Sequence, residues 1–200
     1  IEAFHQGQDI HSRTAMEIFG ITEDQVTSEQ RRIGKTLNFA LIYMQGPYAT
    51  AKQLGITMSE AKEFIDKYFK AFKHIKPFMD ETLKHAHEHE YTETLFGRRR
   101  YFRNINSPNK ALMKEEERQA FNAVIQGTAA DIMKHAMINV YKKLQDNILR
   151  TCVILQVHDE LVLEVPREEI ELVKALVVQE MSNAAQLKVP LKVDVGVGNN

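Results

Sequence analysis

Four side chains of contrasting chemistry recur at every fourth position in one stretch of the chain. They are two cations followed by two aromatics, namely Arg31, Lys35, Phe39 and Tyr43. In a helix each step of four leaves a side chain about 40° from the previous one, so all four share one broad face. Cations near a helix N-terminus favour the binding of a multiply charged anion, because the helix dipole and the free N–H groups there also attract negative charge. A nucleoside triphosphate, with phosphates at one end and a flat ring at the other, fits this face.

The plainer interpretation of the same stretch is an amphipathic helix whose basic side faces solvent. Against it, Leu37, Leu41 and Ile42 already supply a side that faces the core, so the two aromatics are not needed there. Asn38 is a poor residue for a helix interior and also requires a reason. Both observations favour ligand binding.

A second concentration of chemistry interrupts two apolar runs near the C-terminus. His158-Asp159-Glu160 separates the β-type segments 151–157 and 161–165. Adjacent carboxylates at a tight turn are costly unless they bind a cation, meet a partner or face water. Mg²⁺ uses few carboxylates and takes other ligands from substrate phosphates. The alternative is an ordinary polar turn, where Asp is favoured.

Two further sets of polar side chains have the form of nucleic-acid contacts. Arg118, Asn122 and Gln126 recur at i+4 and could read minor-groove acceptors, with a polar helix face as the alternative. A predicted hairpin, 91–95 with 99–103, carries the densest basic cluster of the chain, which either contacts phosphates or blocks edge pairing. His11, in the first turn of a helix, could reach an anion or simply be a surface histidine.

Local signals place these residues on helices and hairpins. Thr27-Ser28-Glu29-Gln30 has the form of a capping box and predicts a helix over about 28–43, ended by Gly46-Pro47. Asp9 caps an earlier helix, in which Thr14 counts among the apolar positions. Further helices are predicted at 48–54, 58–72, 77–90, 109–126, 128–144 (after a break or bend at Gly127) and 167–185. A closing strand is predicted at 191–197, and Cys152 is predicted to be core.

Composition limits the class of protein. The chain has 200 residues, 44% hydrophobic and 26% charged, with a net charge of −1, so a polyanion must be held by a local basic face. A single cysteine excludes an intramolecular disulfide and fits a reducing compartment. No apolar run approaches the length of a membrane span. The chain begins in mid-pattern at Ile1, which predicts a processed chain or a piece of something longer.

Taken together, four segments in order resemble the family A DNA polymerases, the class of bacterial DNA polymerase I. The helix 31–43 resembles motif B of the fingers, and Gln156-Val157-His158-Asp159-Glu160 resembles motif C of the palm. The segment 126–131 resembles the helix before motif C, and 9–11 resembles the fingers segment upstream of motif B. The resemblance covers essentially the whole chain.

The resemblance implies a nucleotide site on the fingers. Arg31 and Lys35 would bind the triphosphate, with Lys35 also a candidate proton donor to the leaving pyrophosphate, and His11 would support the phosphates. Phe39 would stack on the incoming base or sugar. Tyr43 would sit at the template position and move when the fingers close.

The resemblance also implies a catalytic and DNA-binding part. Asp159 would be a ligand of catalytic Mg²⁺, with Glu160 beside it, in a two-ion site whose second carboxylate strand lies outside this chain. The implied partners are dNTP and primer-template DNA. The side chains implied to contact the DNA near the primer end are Arg118, Asn122, Gln126 and His158.

The implied fold class is α+β, with a mostly helical fingers subdomain over 1–108 and a C-terminal palm portion over 109–200. Motif A and the thumb are absent, so a preceding segment or a separate chain is expected to carry them, and this chain alone is predicted not to polymerise. Ala40 and Met44 replace glycines that are usual in motif B, which bears on the end of the fingers helix.

Two other functions stay open from the sequence. The single-subunit RNA polymerases have a similar fold and a similar set of motifs, although Phe39 favours an enzyme that makes DNA. The missing motif A also allows a fragment that only binds nucleic acid or a partner chain. The expected location is the cytoplasm, in a bacterial or viral setting, with an organellar one as an alternative.

Overall fold

The computed structural model describes residues 1–199 and has the predicted α+β composition, mostly helical with two small antiparallel sheets. The helices within this range are α1 (Glu2–His5), α2 (Ile10–Phe19), α3 (Ser28–Ile42), α4 (Pro47–Leu54), α5 (Met58–Ala71), α6 (Ile75–His89), α7 (Lys110–Asp146) and α8 (Ile170–Ser182). The strands are β1 (Tyr91–Glu93), β2 (Arg99–Tyr101), β3 (Cys152–Val157) and β4 (Glu160–Glu164).

The chain folds as two compact units, Ile1–Gly127 and the part from Thr128 onward. The boundary lies inside α7, so this helix contributes its first half to one unit and its second half to the other. Within residues 1–199 no helix has both the length and the apolar composition to cross a bilayer.

The first unit is built on capped helices, as predicted. The Asp9 carboxylate accepts from the Ser12 backbone N–H at 2.7 Å, and Thr27 and Gln30 form the reciprocal capping box at the start of α3. Gly34 brings the two helices close together, since a Cβ at this position would lie 2.4 Å from the His11 carbonyl oxygen. A core of Ile18, Leu37 and Leu54 packs beneath them.

A second core in this unit lies between α6, the first half of α7 and the predicted hairpin. β1 and β2 pair antiparallel, with Tyr91 opposite Tyr101. The Thr92 hydroxyl donates to the Ala120 carbonyl at 3.2 Å and fixes the hairpin on α7. Ala86, Phe102, Ile105 and Ala120 form the buried cluster.

The second unit is the β3–β4 hairpin packed on α8 and the second half of α7. Its core cluster is formed by Val140, Leu144, Val173 and Val177. Glu169 fixes the start of β3, because its carboxylate accepts from the backbone N–H groups of Arg150 and Thr151, each at 3.0 Å. The Thr151 hydroxyl also donates to this carboxylate, at 2.6 Å. These three hydrogen bonds, of which the one from the Thr151 hydroxyl has the largest effect, lower the pKa of Glu169.

Three sequence-based expectations are wrong. α7 runs through Gly127 without a break. A glycine costs a helix only about 1 kcal/mol, and its missing Cβ serves packing, since that atom would lie 2.7 Å from Thr94 Cγ2. Residues 191–197 do not form a strand within the described chain, because alternation alone supplies no partner edge. Cys152 is exposed, because Val153 turns toward the core and successive side chains alternate.

His87 joins three segments of the first unit. Its Nδ1 lies 2.9 Å from Asn106 Oδ1 and its Nε2 lies 3.0 Å from Glu117 Oε1. A ring with an oxygen acceptor at each nitrogen is satisfied fully only as the imidazolium. The hydrogen bond to Asn106, followed by the pairing with Glu117, therefore raises the pKa of His87 above 6.5.

Replacing His87 with alanine is expected to lower the free energy of unfolding by about 1 kcal/mol at pH 5.5 and by less at pH 8.5. Because the folded pKa is the higher one, the charged ring stabilises fully below the unfolded value and loses this contribution as pH rises through the folded value. Urea unfolding at the two pH values measures the difference. His74→Ala is the control, since His74 is exposed and caps no backbone group; equal losses for His87→Ala at both pH values would contradict the prediction.

Candidate functional site

The face of α3 singled out from the sequence is open to solvent. Phe39 is 47% exposed and Tyr43 is 39% exposed, whereas Leu37 on the opposite side is 0% exposed. Arg31 and Lys35 are exposed on the same helix. The two aromatics are therefore surface residues on a helix that already has its own buried side.

Arg31 has a specific partner. Its Nη2 donates to Asp9 Oδ2 at 2.7 Å, while the other carboxylate oxygen of Asp9 caps α2 through Ser12. The hydrogen bond from Arg31 is the main reason why the pKa of Asp9 falls to about 2. The guanidinium of Arg31 is thus held at the N-terminus of α2, where backbone N–H groups also favour an anion.

His11 lies in the same place, in the first turn of α2. Its ring centroid is 5.9 Å from that of Phe39, and its Nδ1 is 3.0 Å from Asn38 Nδ2. Burial is the largest cause of its lowered pKa; Asp9 opposes this, and the charges of Arg31 and Lys35 add to it. The structure therefore brings together a neutral imidazole, two cations and an aromatic ring.

A cavity of about 660 Å³ opens beside this cluster. His11, Asn38 and Phe39 line one side, and apolar residues that include Ile42 and Tyr68 line the other. Its size falls in the range of small-molecule sites, in which a few polar groups orient a ligand against an apolar wall.

The end of the α3 face contacts α7. Gln126 Nε2 donates to the Tyr43 hydroxyl at 2.9 Å. One turn earlier, Asn122 has a buried carboxamide oxygen to which no group in the described chain donates. A buried acceptor without a donor is costly, so a bound water is the expected partner of this atom. Arg118, a further turn back, is exposed.

The basic hairpin uses several of its arginines internally. Arg98 donates to the Gly127 carbonyl at 3.0 Å, and Arg99 pairs with Glu93 at 2.6 Å while lying over the ring of Tyr91. Arg100 donates to the Gln119 carboxamide at 2.9 Å. These contacts fix the hairpin internally and against α7.

The acidic turn of the second unit joins β3 to β4. Val157 pairs with Glu160, so His158 and Asp159 form a two-residue loop. His158 has φ of 52°, at the first loop position, where glycine is the usual residue. A positive φ at a residue other than glycine is uncommon and occurs mainly in turns such as this one. Gln156 Nε2 donates to the His158 carbonyl at 2.6 Å and supports the turn.

The donor set at this turn suits Mg²⁺ in kind but not in number. Asp159 and Glu160 are exposed carboxylates, and carboxylate oxygen is the ligand that Mg²⁺ prefers. No group of three or more metal-ligating side chains occurs anywhere in residues 1–199. The turn can therefore supply part of a coordination shell, with the remaining oxygens coming from water, phosphates or another segment.

Sequence reasoning found the residues of the α3 face but missed two contacts that position them. The sequence predicts Asp9 as a helix cap and gives no sign that it pairs with Arg31. It predicts Thr14 as an apolar position, whereas the Thr14 hydroxyl lies 3.0 Å from Asn38 Oδ1. The only signal in the sequence was Asn38 itself, a residue that a helix interior does not favour.

Comparisons with known proteins agree over the whole chain. The family model described as DNA polymerase family A matches residues 1–200. The chain is 48% identical to DNA polymerase I of Caldicellulosiruptor bescii over 200 residues, which is 100% of this chain and 24% of that protein. It is 47% identical to DNA polymerase I of Pseudomonas aeruginosa over 200 residues, 100% of this chain and 22% of that protein. The chain thus spans about a quarter of the length of these relatives.

A solved structure is similar in fold as well as in sequence. It is described as the POL domain of Pol1 from M. smegmatis in complex with DNA primer-template and dNTP. The TM-score is 0.95 at 43% identity, covering 99% of this chain and 35% of that one. With the family model matched from the first residue to the last, the chain belongs to DNA polymerase family A.

Proposed function

We propose that this chain is the fingers and C-terminal palm portion of a template-directed DNA polymerase, which transfers a nucleotidyl group from dNTP to a primer 3′-hydroxyl. The observation that carries the proposal is the exposed face of α3, where cations and aromatics stand beside His11 in a member of this family. Within this proposal the fingers comprise residues 1–108 and the palm portion 109–200.

The nucleotide would lie along α3. Arg31, Lys35 and His11 bind its triphosphate, and Phe39 stacks on its base or sugar. Arg31 already pairs with Asp9 at 2.7 Å, so an incoming phosphate has to share or replace that carboxylate. Arginine forms charge-assisted hydrogen bonds with carboxylate and phosphate alike, so a triphosphate with its several charges competes directly with Asp9 for this guanidinium.

The acidic turn would hold catalytic Mg²⁺ through Asp159 and Glu160, in a two-ion site completed by a carboxylate from outside this chain. When bound there, Mg²⁺ neutralises phosphate charge and favours the ionised primer hydroxyl. The chain's own contribution is to position this turn on the β3–β4 hairpin and to place His158 beside the primer end. Phosphoryl transfer depends mainly on such positioning and on charge neutralisation.

Arg118, Asn122 and Gln126 would contact the duplex near the primer end. They lie on successive turns of α7, and Arg118 and Gln126 are exposed on it. Tyr43 would occupy the template side, and its hydrogen bond from Gln126 would break when the fingers close.

A polymerase of this kind acts on DNA in the cytoplasm of a bacterium.

Two other functions are weighed against this one. A binding module without catalysis is favoured by the small number of metal ligands at the acidic turn. A polymerase that makes RNA would use the same cations on α3, so only the sugar of the substrate distinguishes it.

Primer extension tests the proposal. The chain is assayed alone and joined to the polymerase segment that precedes the matching region in the Caldicellulosiruptor bescii relative, with that segment alone as control. We expect no extension by either part alone and template-dependent extension with dNTP, not rNTP, by the joined protein. A joined protein that binds primer-template but extends nothing would favour the binding module, and preference for rNTP would favour the RNA polymerase.

A further inference from the structure

A buried polar chain connects α2 to α3 directly beneath the candidate triphosphate site. Thr14 is 0% exposed and Asn38 is 7% exposed. The Thr14 hydroxyl lies 3.0 Å from Asn38 Oδ1, and Asn38 Nδ2 lies 3.0 Å from His11 Nδ1. Buried polar side chains between packed helices are costly unless they are fully hydrogen-bonded, and an apolar pair would pack there without that cost. Their presence therefore indicates a role for the hydrogen bonds themselves.

The two helices hold this chain at a fixed spacing. Gly34 lies against the backbone of α2, where a Cβ would come within 2.4 Å of the His11 carbonyl oxygen and 3.1 Å of the Ala15 nitrogen. Backbone contact of this kind leaves little freedom for Asn38, one turn further along α3. The carboxamide thus meets His11 from a rigid support.

The direction of the hydrogen bonds determines which ring nitrogen of His11 carries the proton. The Asn38 carboxamide presents Nδ2 to the ring and Oδ1 to the Thr14 hydroxyl, and because Nδ2 can only donate, Nδ1 of His11 accepts from it. A neutral imidazole with Nδ1 as acceptor carries its proton on Nε2. Nε2–H is then a donor, as an anionic oxygen requires.

The opposite polarity, in which each hydrogen bond of this chain runs in the reverse direction, would give His11 the other tautomer. The Thr14 hydroxyl has a single proton, which the Ile10 carbonyl at 2.8 Å also attracts. If the Thr14 hydroxyl donated only to the Ile10 carbonyl, the Asn38 carboxamide would flip and turn its oxygen toward the imidazole. The imidazole proton would then lie on Nδ1, and Nε2 would present a lone pair. An anion would be repelled by that lone pair, so only the first polarity suits the site.

We propose that Asn38, held by Thr14, is a positioning residue that fixes His11 in its Nε2–H tautomer, ready to donate to a phosphate of the bound nucleotide. This rests on the proposed nucleotide site and adds to it the device that orients one of its donors. The groups facing His11 are Asp9, Arg31 and Lys35, and burial together with the two cations keeps the ring neutral. Only a neutral ring has a tautomer to select.

The tautomer can be read directly from the ring ¹⁵N chemical shifts of His11 in protein labelled at histidine. We expect a protonated Nε2 and an unprotonated Nδ1 in the unmodified protein at pH 7.5, without any ligand. Asn38→Asp replaces the donor with an acceptor, so the proton should move to Nδ1 and the pKa of His11 should rise. Thr14→Ser keeps the hydroxyl and should retain the Nε2–H pattern, whereas Thr14→Val should lose it.

Binding of inorganic tripolyphosphate, measured by calorimetry at pH 7.5, gives the functional consequence. Asn38→Leu is expected to weaken binding about tenfold, as loss of one oriented donor to a charged oxygen would. Thr14→Ser is expected to bind as the unmodified protein does.

The outcomes separate this inference from the function on which it rests. A proton on Nδ1 in the unmodified protein overturns it, and that measurement needs no variant to fold. Tripolyphosphate bound equally well by the unmodified protein and by folded Asn38→Leu overturns the positioning role and leaves the nucleotide site standing. No binding of tripolyphosphate by the unmodified protein removes the site and the inference together.

Discussion

Replacing Asp159 with alanine is expected to reduce nucleotide incorporation by the complete enzyme about a thousandfold or more, mainly in kcat. The residue lies in a two-residue loop between β3 and β4 and is exposed, so its loss removes a carboxylate without disturbing a core. Phosphoryl transfer depends on neutralising charge on the reacting phosphate. Binding of primer-template and the melting temperature should change little.

Single-turnover incorporation with saturating dNTP measures this effect, and Glu164→Ala is the matched control. Glu164 is an exposed carboxylate at the far end of β4, so its removal changes the net charge equally without touching the turn. If Asp159→Ala and Glu164→Ala retained similar rates, the acidic turn would have no part in catalysis. The binding module would then be the better account of this chain.

The elements that sequence reasoning predicted well are those set by local physics. Asp9, Thr27 and Thr57 each begin a helix by accepting from a backbone N–H three residues ahead, a pattern visible in the letters alone. The exposed face of α3 follows in the same way from helical geometry. No information about the rest of the molecule was needed for either.

What the sequence could not supply are contacts between residues far apart along the chain. Arg31 finds Asp9 across 22 positions, Asn38 finds His11 across 27, and Gln126 finds Tyr43 across 83. Each depends on how helices pack, and a local pattern carries no record of that. The same limit explains the strand expected at 191–197, because alternation predicts a strand only where a partner edge is available.

Gly127 shows the converse error, in which a local rule was given too much weight. A glycine in a helical pattern lowers helix stability by about 1 kcal/mol, which tertiary packing readily offsets. Here the missing Cβ admits Thr94 of the hairpin, and the Arg98 guanidinium donates to the Gly127 carbonyl. Gly127 therefore does not interrupt the helix and allows the hairpin to pack against it.

Replacing Lys35 with alanine is the second large effect that we expect, a fall of about a hundredfold to a thousandfold in kcat/KM for dNTP. Lys35 lies one turn after Arg31 on the exposed face, beside His11, and removal of its charge leaves the triphosphate with one cation of α3. Arg32→Ala is the matched control. Arg32 is also exposed on α3 but pairs with Glu29 through two hydrogen bonds, at 2.8 and 2.5 Å.

The pair of variants separates position from charge. Both remove one positive charge from α3, so a general loss of attraction for DNA or nucleotide would lower both activities alike. A site on the Arg31 and Lys35 face requires that Arg32→Ala stay within about threefold of the unmodified enzyme, as surface substitutions usually do. Equal losses would mean that α3 acts only as a basic surface, the plainer interpretation of its sequence.

Lys35→Arg then distinguishes the two roles proposed for this side chain. Arginine keeps the positive charge but does not give up its proton at any accessible pH. If Lys35 only binds the triphosphate, Lys35→Arg should restore most of the activity lost in Lys35→Ala. If it also donates a proton to the leaving pyrophosphate, KM for dNTP should recover while kcat stays low. A single residue thus reports separately on binding and on proton transfer, because the substitution changes only one of the two properties.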